Sequence, residues 1–283
     1  MSDPPRRHIF ICADDYGISP GVNRAIRDLI ARRRINAASV MVAAPSLQRS
    51  EATALLDVVA TTGAAIGLHL TLTAPFPPLS HGFAPLRHGA FLSLVATLHR
   101  AHLRLLKPEL LTIEIVRQFE AFDAAFGRAP DFVDGHQHVQ LFPQIREALL
   151  RVVKDAAPNA WVRQCGRMVA ARKRFADRKA LLLDALSRRF RRLARDLGVR
   201  TNPAFAGTYT FRTRADYSRL FQDFLDGMRD GGVIMCHPGT VDAELKRLDP
   251  LTDLREREYA FFREDSFPRL LAAHGVALAA SPD

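Results

Sequence analysis

Cysteine is scarce in this chain: Cys12, Cys165 and Cys236 are the only three among 283 residues, odd in number and widely spaced. That excludes a disulfide framework, which needs paired cysteines in a short secreted chain. Each falls in or beside an apolar run and reads as a reduced core thiol. Cys236, next to His237, is also a candidate nucleophile or ligand. No apolar stretch reaches the length needed to span a bilayer. Met1 to Arg7 leads directly into an apolar run without the basic, apolar and small-residue regions of a signal peptide, so the expectation is a cytoplasmic protein. No internal repeat or low-complexity tract stands out.

Acidic residues are the minority charge, 30 Asp+Glu against 40 Lys+Arg, for a net charge of +10. The excess is uneven. Arg172, Lys173, Arg174, Arg178, Lys179, Arg188, Arg189, Arg191, Arg192 and Arg195 crowd one region, within which Leu182, Leu186, Phe190, Leu193 and Leu197 recur at helical spacing. The region, 172–197, reads either as an outer helix with a solvated basic face or as an electrostatic handle for an anionic membrane surface or an acidic partner. A nucleic-acid partner is not expected, because no recognition motif and no interleaving of basic with aromatic residues accompanies the charge. What the chain does have is apolar mass. At 48% hydrophobic it can bury a large core, enough for one barrel-sized domain or two smaller ones.

The most informative segment is Ile9-Phe10-Ile11-Cys12-Ala13-Asp14-Asp15-Tyr16-Gly17, an apolar strand that ends in two adjacent carboxylates before a helix opened by Ser19-Pro20. Adjacent buried carboxylates repel and need a cation or a shared proton. A milder reading makes Asp15 or Ser19 an N-cap. Three further strands end the same way: Gly67-Leu68-His69-Leu70, Asp134-Gly135-His136-Gln137-His138, and Met235-Cys236-His237-Pro238-Gly239. A lone histidine in a strand is usually a hydrogen-bonded core residue. Four strand ends carrying Asp-Asp, His, Asp-x-His-x-His and His point instead to a divalent-metal site. If the third strand continues, the even spacing of Asp134, His136 and His138 puts all three on one face.

Strands are expected near 9–13, 39–42, 66–72, 132–134, 160–163, 233–236 and 276–279. Helices are expected near 21–34, 46–61, 112–126, 143–156, 179–197, 216–229 and 254–274. Recurrent strand–helix units argue for a parallel sheet, and reactive residues at successive strand ends favour a closed or nearly closed barrel. The stretch 74–107, rich in Pro, Gly and His, reads as an excursion from that barrel.

In order and over nearly the whole chain, Asp14-Asp15-Tyr16-Gly17 with Val22-Asn23, Gly67-Leu68-His69-Leu70, Asp134-Gly135-His136-Gln137-His138 and His237-Pro238-Gly239 resemble the YdjC-like carbohydrate deacetylases. That family includes chito-oligosaccharide deacetylases and a hopanoid-biosynthesis deacetylase. One departure is that many relatives continue the motif as His-x-His-x-His, whereas this chain has Gln140. The resemblance implies an irregular (β/α) barrel related to the TIM barrel, as a single domain over 1–283. It also implies a hydrolase that uses a divalent ion, Zn²⁺ or Mg²⁺, to remove N-acetyl groups from an amino sugar or glycolipid. By the same resemblance Asp14 is the base, Asp15, His69 and His136 hold the metal, and His237 is the general acid. His138 is a supporting residue or an alternative ligand, Asp134 a partner of a ligand histidine, and Arg163 either orients the base or forms a structural salt bridge. The order of Asp14 and Asp15 does not by itself separate base from ligand. Alternatives are another metal-dependent amide or ester hydrolase on the same barrel, or a silent sugar- or lipid-binding protein. A homo-oligomer is compatible with either.

Overall fold

In the computed structural model the described residues are 6–167, 178–209 and 216–279. Among the described residues nine strands form one parallel sheet: β1 (Arg7–Tyr16), β2 (Ala37–Val40), β3 (Ala65–Leu70), β4 (Phe132–Gly135), β5 (Trp161–Val162), β6 (Arg200–Thr201), β7 (Phe205–Ala206), β8 (Val233–Cys236) and β9 (Val276–Leu278). The order is β6-β5-β4-β3-β2-β1-β8-β7, with β9 pairing the start of β1. Parallel pairing requires helical crossovers, and these clothe the curled sheet as an irregular (β/α) barrel. An isolated parallel bridge, Arg167 to Phe205, joins the segment after β5 to β7.

Strand β1 is central because it is almost entirely apolar and buried from Ile9 onward. Sheets covered on both faces need such runs. Helix α1 (Pro20–Ala31) follows it directly, with Ser19 as the N-cap accepting from the Val22 N–H and Pro20 in the first turn. Val22, Ile26, Leu29 and Ile30 pack its apolar face into the core. The other crossover helices are α2 (Arg49–Thr62), α3 (Leu94–His102), α4 (Pro108–Phe126), α5 (Ile145–Ala156), α6 (Arg178–Leu197), α7 (Tyr217–Asp226), α8 (Ala243–Leu248), α9 (Asp253–Arg263) and α10 (Phe267–Ala273).

Several elements differ from the sequence expectation. The helix expected over 254–274 is broken into α9 and α10 at Glu264-Asp265-Ser266, with Pro268 in the first turn of α10. Strands β6 and β7 and helices α3 and α8 were not expected, being too short to show a period of their own. Helix α3 falls inside the 74–107 stretch. In the basic region, Arg172, Lys173 and Arg174 lie outside the described residues, and α6 carries the remainder. Cys12, Cys165 and Cys236 are all buried and free. No described helix is long and apolar enough to cross a membrane.

Candidate active site

Parallel strands deliver their C-terminal ends to one rim, and β1, β3, β4 and β8 bring their polar residues there. In a regular strand the adjacent Asp14 and Asp15 would point to opposite faces. The β1–β2 register slips between Ala13 and Tyr16, so that Asp14 and Asp15 both lie opposite Ser39. Asp15 adopts a left-handed φ of 69°. This bulge re-aims Asp15 and lets two neighbours serve one site.

The two carboxylates have separate partners. Arg163, after β5, grips Asp14 with both nitrogens, Nη1 to Oδ2 and Nη2 to Oδ1 at 2.7 Å each. Its Nη2 also lies 2.5 Å from Asp134 Oδ2. Asp15 turns Oδ1 toward His136 Nδ1 at 3.1 Å and His69 Nε2 at 3.3 Å. Its Oδ2 accepts from Arg255 Nη2, on α9, at 2.5 Å. His69 and Asp134 are register partners across β3 and β4, and His69 Nδ1 donates to Asp134 Oδ1 at 2.6 Å. Ser39 donates to the same oxygen.

These contacts decide protonation. Burial favours neutral Asp15, but Arg255 and the hydrogen bonds from His136 and His69 outweigh it and hold the carboxyl well below its ordinary value. Burial likewise opposes the Asp134 carboxylate, and Arg163 with His69 reverses that. Burial also disfavours a charged His69, yet Asp134 and Asp14 push its pKa up to about 10.

Asp15, His69 and His136 each offer one ligand atom, and these atoms all lie within 4.8 Å of one another. The residues fit a divalent ion. Buried Asp14, Asp15 and Asp134 crowd one rim with Arg163, Arg255 and a His69 that they hold protonated, and a divalent ion would take the place of that proton. The Asp134 hydrogen bond at Nδ1 fixes the His69 ring and leaves Nε2 toward Asp15, the carboxylate–histidine arrangement common behind metal ligands. A second set, Cys12, Asp14 and Asp134, is also close, but Arg163 already occupies its centre.

The expected single face for Asp134, His136 and His138 does not occur. Strand β4 ends at Gly135, and Gln137 (φ 55°) and His138 (φ 63°) are left-handed in the 3-10 turn that follows. His138 therefore leaves the row: its Nδ1 lies 3.5 Å from Cys165 Sγ and its ring meets Phe205 edge-on. Gln140, two residues beyond His138, donates from Nε2 to the Arg163 carbonyl at 3.2 Å. It thus supports the arginine that grips Asp14.

His237 follows β8, which flanks β1 on the edge away from β2 and β3, and its backbone N–H donates to Glu258 Oε2 at 2.5 Å. Tyr209 donates to the other Glu258 oxygen at 2.6 Å. Gly239 N–H donates to the Arg255 carbonyl at 3.1 Å. Helix α9 therefore anchors the His237 turn and Asp15 together. Arg255, Asp249, Glu258 and Ser39 were missed from sequence. Spacing offers no signal for them, since Arg255 lies 240 residues from Asp15. Cys236 gains no support as a nucleophile: burial raises its thiol pKa well above the ordinary value, and Sγ donates to the Cys12 carbonyl.

Asp14, Asp15, His69, His136, His138 and His237 line a cavity of about 450 Å³. Its outer wall is apolar, with Leu94 and Leu98 from α3, Leu182, Leu183 and Leu186 from α6, and Phe142 and Met235 deeper in.

Comparison with known proteins agrees with this architecture. A chitooligosaccharide deacetylase of Escherichia fergusonii is 27% identical over 245 residues, covering 85% of each chain. A carbohydrate deacetylase of Vibrio cholerae serotype O1 is 24% identical over 275 residues, covering 94% of this chain and 92% of that one. Among solved structures, an Enterococcus faecalis V583 protein whose name refers to cellobiose-phosphate cleavage superposes with a TM-score of 0.74 at 21% identity, covering 98% of both chains. The profile of the YdjC-like proteins matches residues 8–273, so all of strand β1 but Arg7, the four polar strand ends and α9 fall within the match, and the chain belongs to the YdjC-like family.

Proposed function

We propose that the protein is a metal-dependent hydrolase that removes N-acetyl groups from amino-sugar substrates. The observation that carries this reading is the convergence of Asp15, His69 and His136 within 4.8 Å in a cavity that also exposes Asp14 and His237. Names of the deacetylase relatives support the carbohydrate substrate. Asp15, His69 and His136 would hold the ion, with Zn²⁺ favoured by two imidazoles and Mg²⁺ the other candidate. When bound, such an ion polarises the acetyl carbonyl and makes water easier to deprotonate.

The chain's own groups supply the rest. Asp14 takes the proton of the attacking water, and the two-pronged grip of Arg163 fixes the plane of that carboxylate. His237, at the end of β8, gives a proton to the departing nitrogen, and Glu258 fixes its turn. Asp134 and Ser39 hold the His69 ring in one orientation. A silent binding protein has no need for a base and an acid beside a set of metal-ligating side chains in one cavity, which weighs against that alternative.

The apolar outer wall favours a glycolipid over a bare oligosaccharide, since leucines from two helices flank the approach to the polar end. The test is metal analysis together with acetate release from N-acetylglucosamine oligosaccharides and N-acetylglucosaminyl lipids. Metal-loaded protein that releases no acetate from any of them overturns the hydrolase reading. Release only from the oligosaccharides overturns the glycolipid preference alone.

A further inference from the structure

Around the cavity mouth lies a surface that the hydrolase reading leaves unused. Helix α3 places Leu94 and Leu98 in the cavity wall but leaves Val95, between them in sequence, 75% exposed. Just beyond α3, Leu103 and Leu105 are each 55% exposed, and across the mouth Leu182 of α6 is 41% exposed. Isolated exposed leucines need no explanation, but these lie on or directly after α3 and α6, the two helices that line one pocket.

Cations surround them. Arg104 stands between Leu103 and Leu105 and pairs with Glu147 of α5 at 2.9 Å. Arg189 continues the α6 stripe of Leu182 and Leu186, with Arg188, Arg191, Arg192 and Arg195 also exposed. Arg146 of α5 joins the two groups. Its guanidinium pKa is lowered, first by burial and then by Arg189, Arg104 and Arg192, against the opposite pull of Glu147. Glu147 pairs with Arg104 and Asp196 with Arg195, and the cations still outnumber these acids, an excess that suits an anionic partner.

We infer that this rim docks the protein on an anionic lipid surface, with Val95, Leu103 and Leu105 entering the headgroup region, the arginines among lipid phosphates, and the cavity mouth turned toward the bilayer. A second copy of the chain fits less well, because a self-docked rim would bring two arginine clusters together. Nucleic acid would meet the arginines but leave the aliphatic side chains uncovered, and among the described residues the rim offers no exposed Phe, Tyr or Trp for base stacking. The direction in which the mouth faces matters to the glycolipid reading, but lipid binding itself requires no turnover, so the two stand or fall separately.

The experiment is vesicle co-sedimentation of the full chain, with phosphatidylcholine alone and with phosphatidylcholine mixed with phosphatidylglycerol. Binding is expected only to the anionic vesicles, weakening as ionic strength rises. Two double variants, Arg189→Glu with Arg192→Glu and Leu103→Asp with Leu105→Asp, should each lower partitioning at least about tenfold. Both should keep wild-type circular dichroism and metal content, because none of the four residues belongs to the cavity. Absence of vesicle binding, equal binding to both compositions, or wild-type partitioning of both folded variants overturns the inference. So does retention of duplex DNA without retention of vesicles, or concentration-dependent self-association that only the leucine variants abolish. If one pair fails to fold, the other decides.

Discussion

One nitrogen of Arg255, Nη2, lies 2.5 Å from Asp15 Oδ2 and 2.5 Å from Asp249 Oδ2, so a single buried guanidinium edge serves a candidate metal ligand and a residue of the cavity wall. Because Oδ2 of Asp15 is taken, only Oδ1 faces the two histidines. Arg255→Met removes that restraint and leaves Asp15 uncompensated. Calorimetric titration of the metal-free variant with Zn²⁺ should show affinity reduced about 10–100-fold, the usual effect of losing a partner of a ligand. Arg255→Lys, which keeps the charge but not the fork, should recover part of the loss. Unchanged affinity in a folded Arg255→Met protein would mean that Asp15 needs no such support.

His69→Ala deletes one of the three convergent donors and also strips Asp134 of its imidazole partner. Metal content after dialysis, measured by mass spectrometry, should fall sharply while circular dichroism stays native. Full occupancy in this variant would refute the Asp15–His69–His136 site itself, whatever Arg255 does.

Asp14→Asn preserves shape and some of the contact with Arg163 but removes the basic oxygen. Turnover should drop by roughly 10²–10⁴, the range for a lost general base, with metal binding retained. If Asp14→Asn instead loses metal and Asp15→Asn keeps it, the roles of the two carboxylates are exchanged.

His237→Ala separates acid catalysis from ligation. Hydrolysis of an N-acetylated amino sugar, whose amine leaves poorly without a proton, should be crippled. An activated acetyl ester should suffer much less. Parallel losses on both compounds, accompanied by lower metal content, would move His237 into the coordination shell.

Gly67→Ala probes the sheet under the site. A Cβ there would stand 2.3 Å from the Phe132 ring, which is itself stacked on Trp161 at 4.7 Å. With the ring unable to retreat, overpacking should cost about 1–3 kcal/mol and lower Tm by several degrees in a thermal melt.

Much of this was legible before folding because it is local. An apolar run closed by Asp14-Asp15 or by His237-Pro238-Gly239 marks a strand end, and α/β folds gather strand ends at one rim. Strand β8, over Val233–Cys236, coincides with its expected range. Expectation failed where length or backbone handedness intervened. Two-residue strands β6 and β7 show no period, and the left-handed Gln137 and His138 end the alternation that would have aligned His138 with His136.

By itself, then, the sequence determined which residue types stand at the ends of which strands, the parallel architecture, and the excess of basic over acidic charge. Only the tertiary structure decided how they meet. It placed a bulge that turns Asp15 to the same side as Asp14, assigned Arg163 to one carboxylate and Arg255 to the other, and set His69 beside Asp134 across two strands. The physical reason is that buried charges are satisfied through space. A guanidinium 149 or 240 residues away is as good a partner as a neighbour, and only the packed barrel says which one arrives.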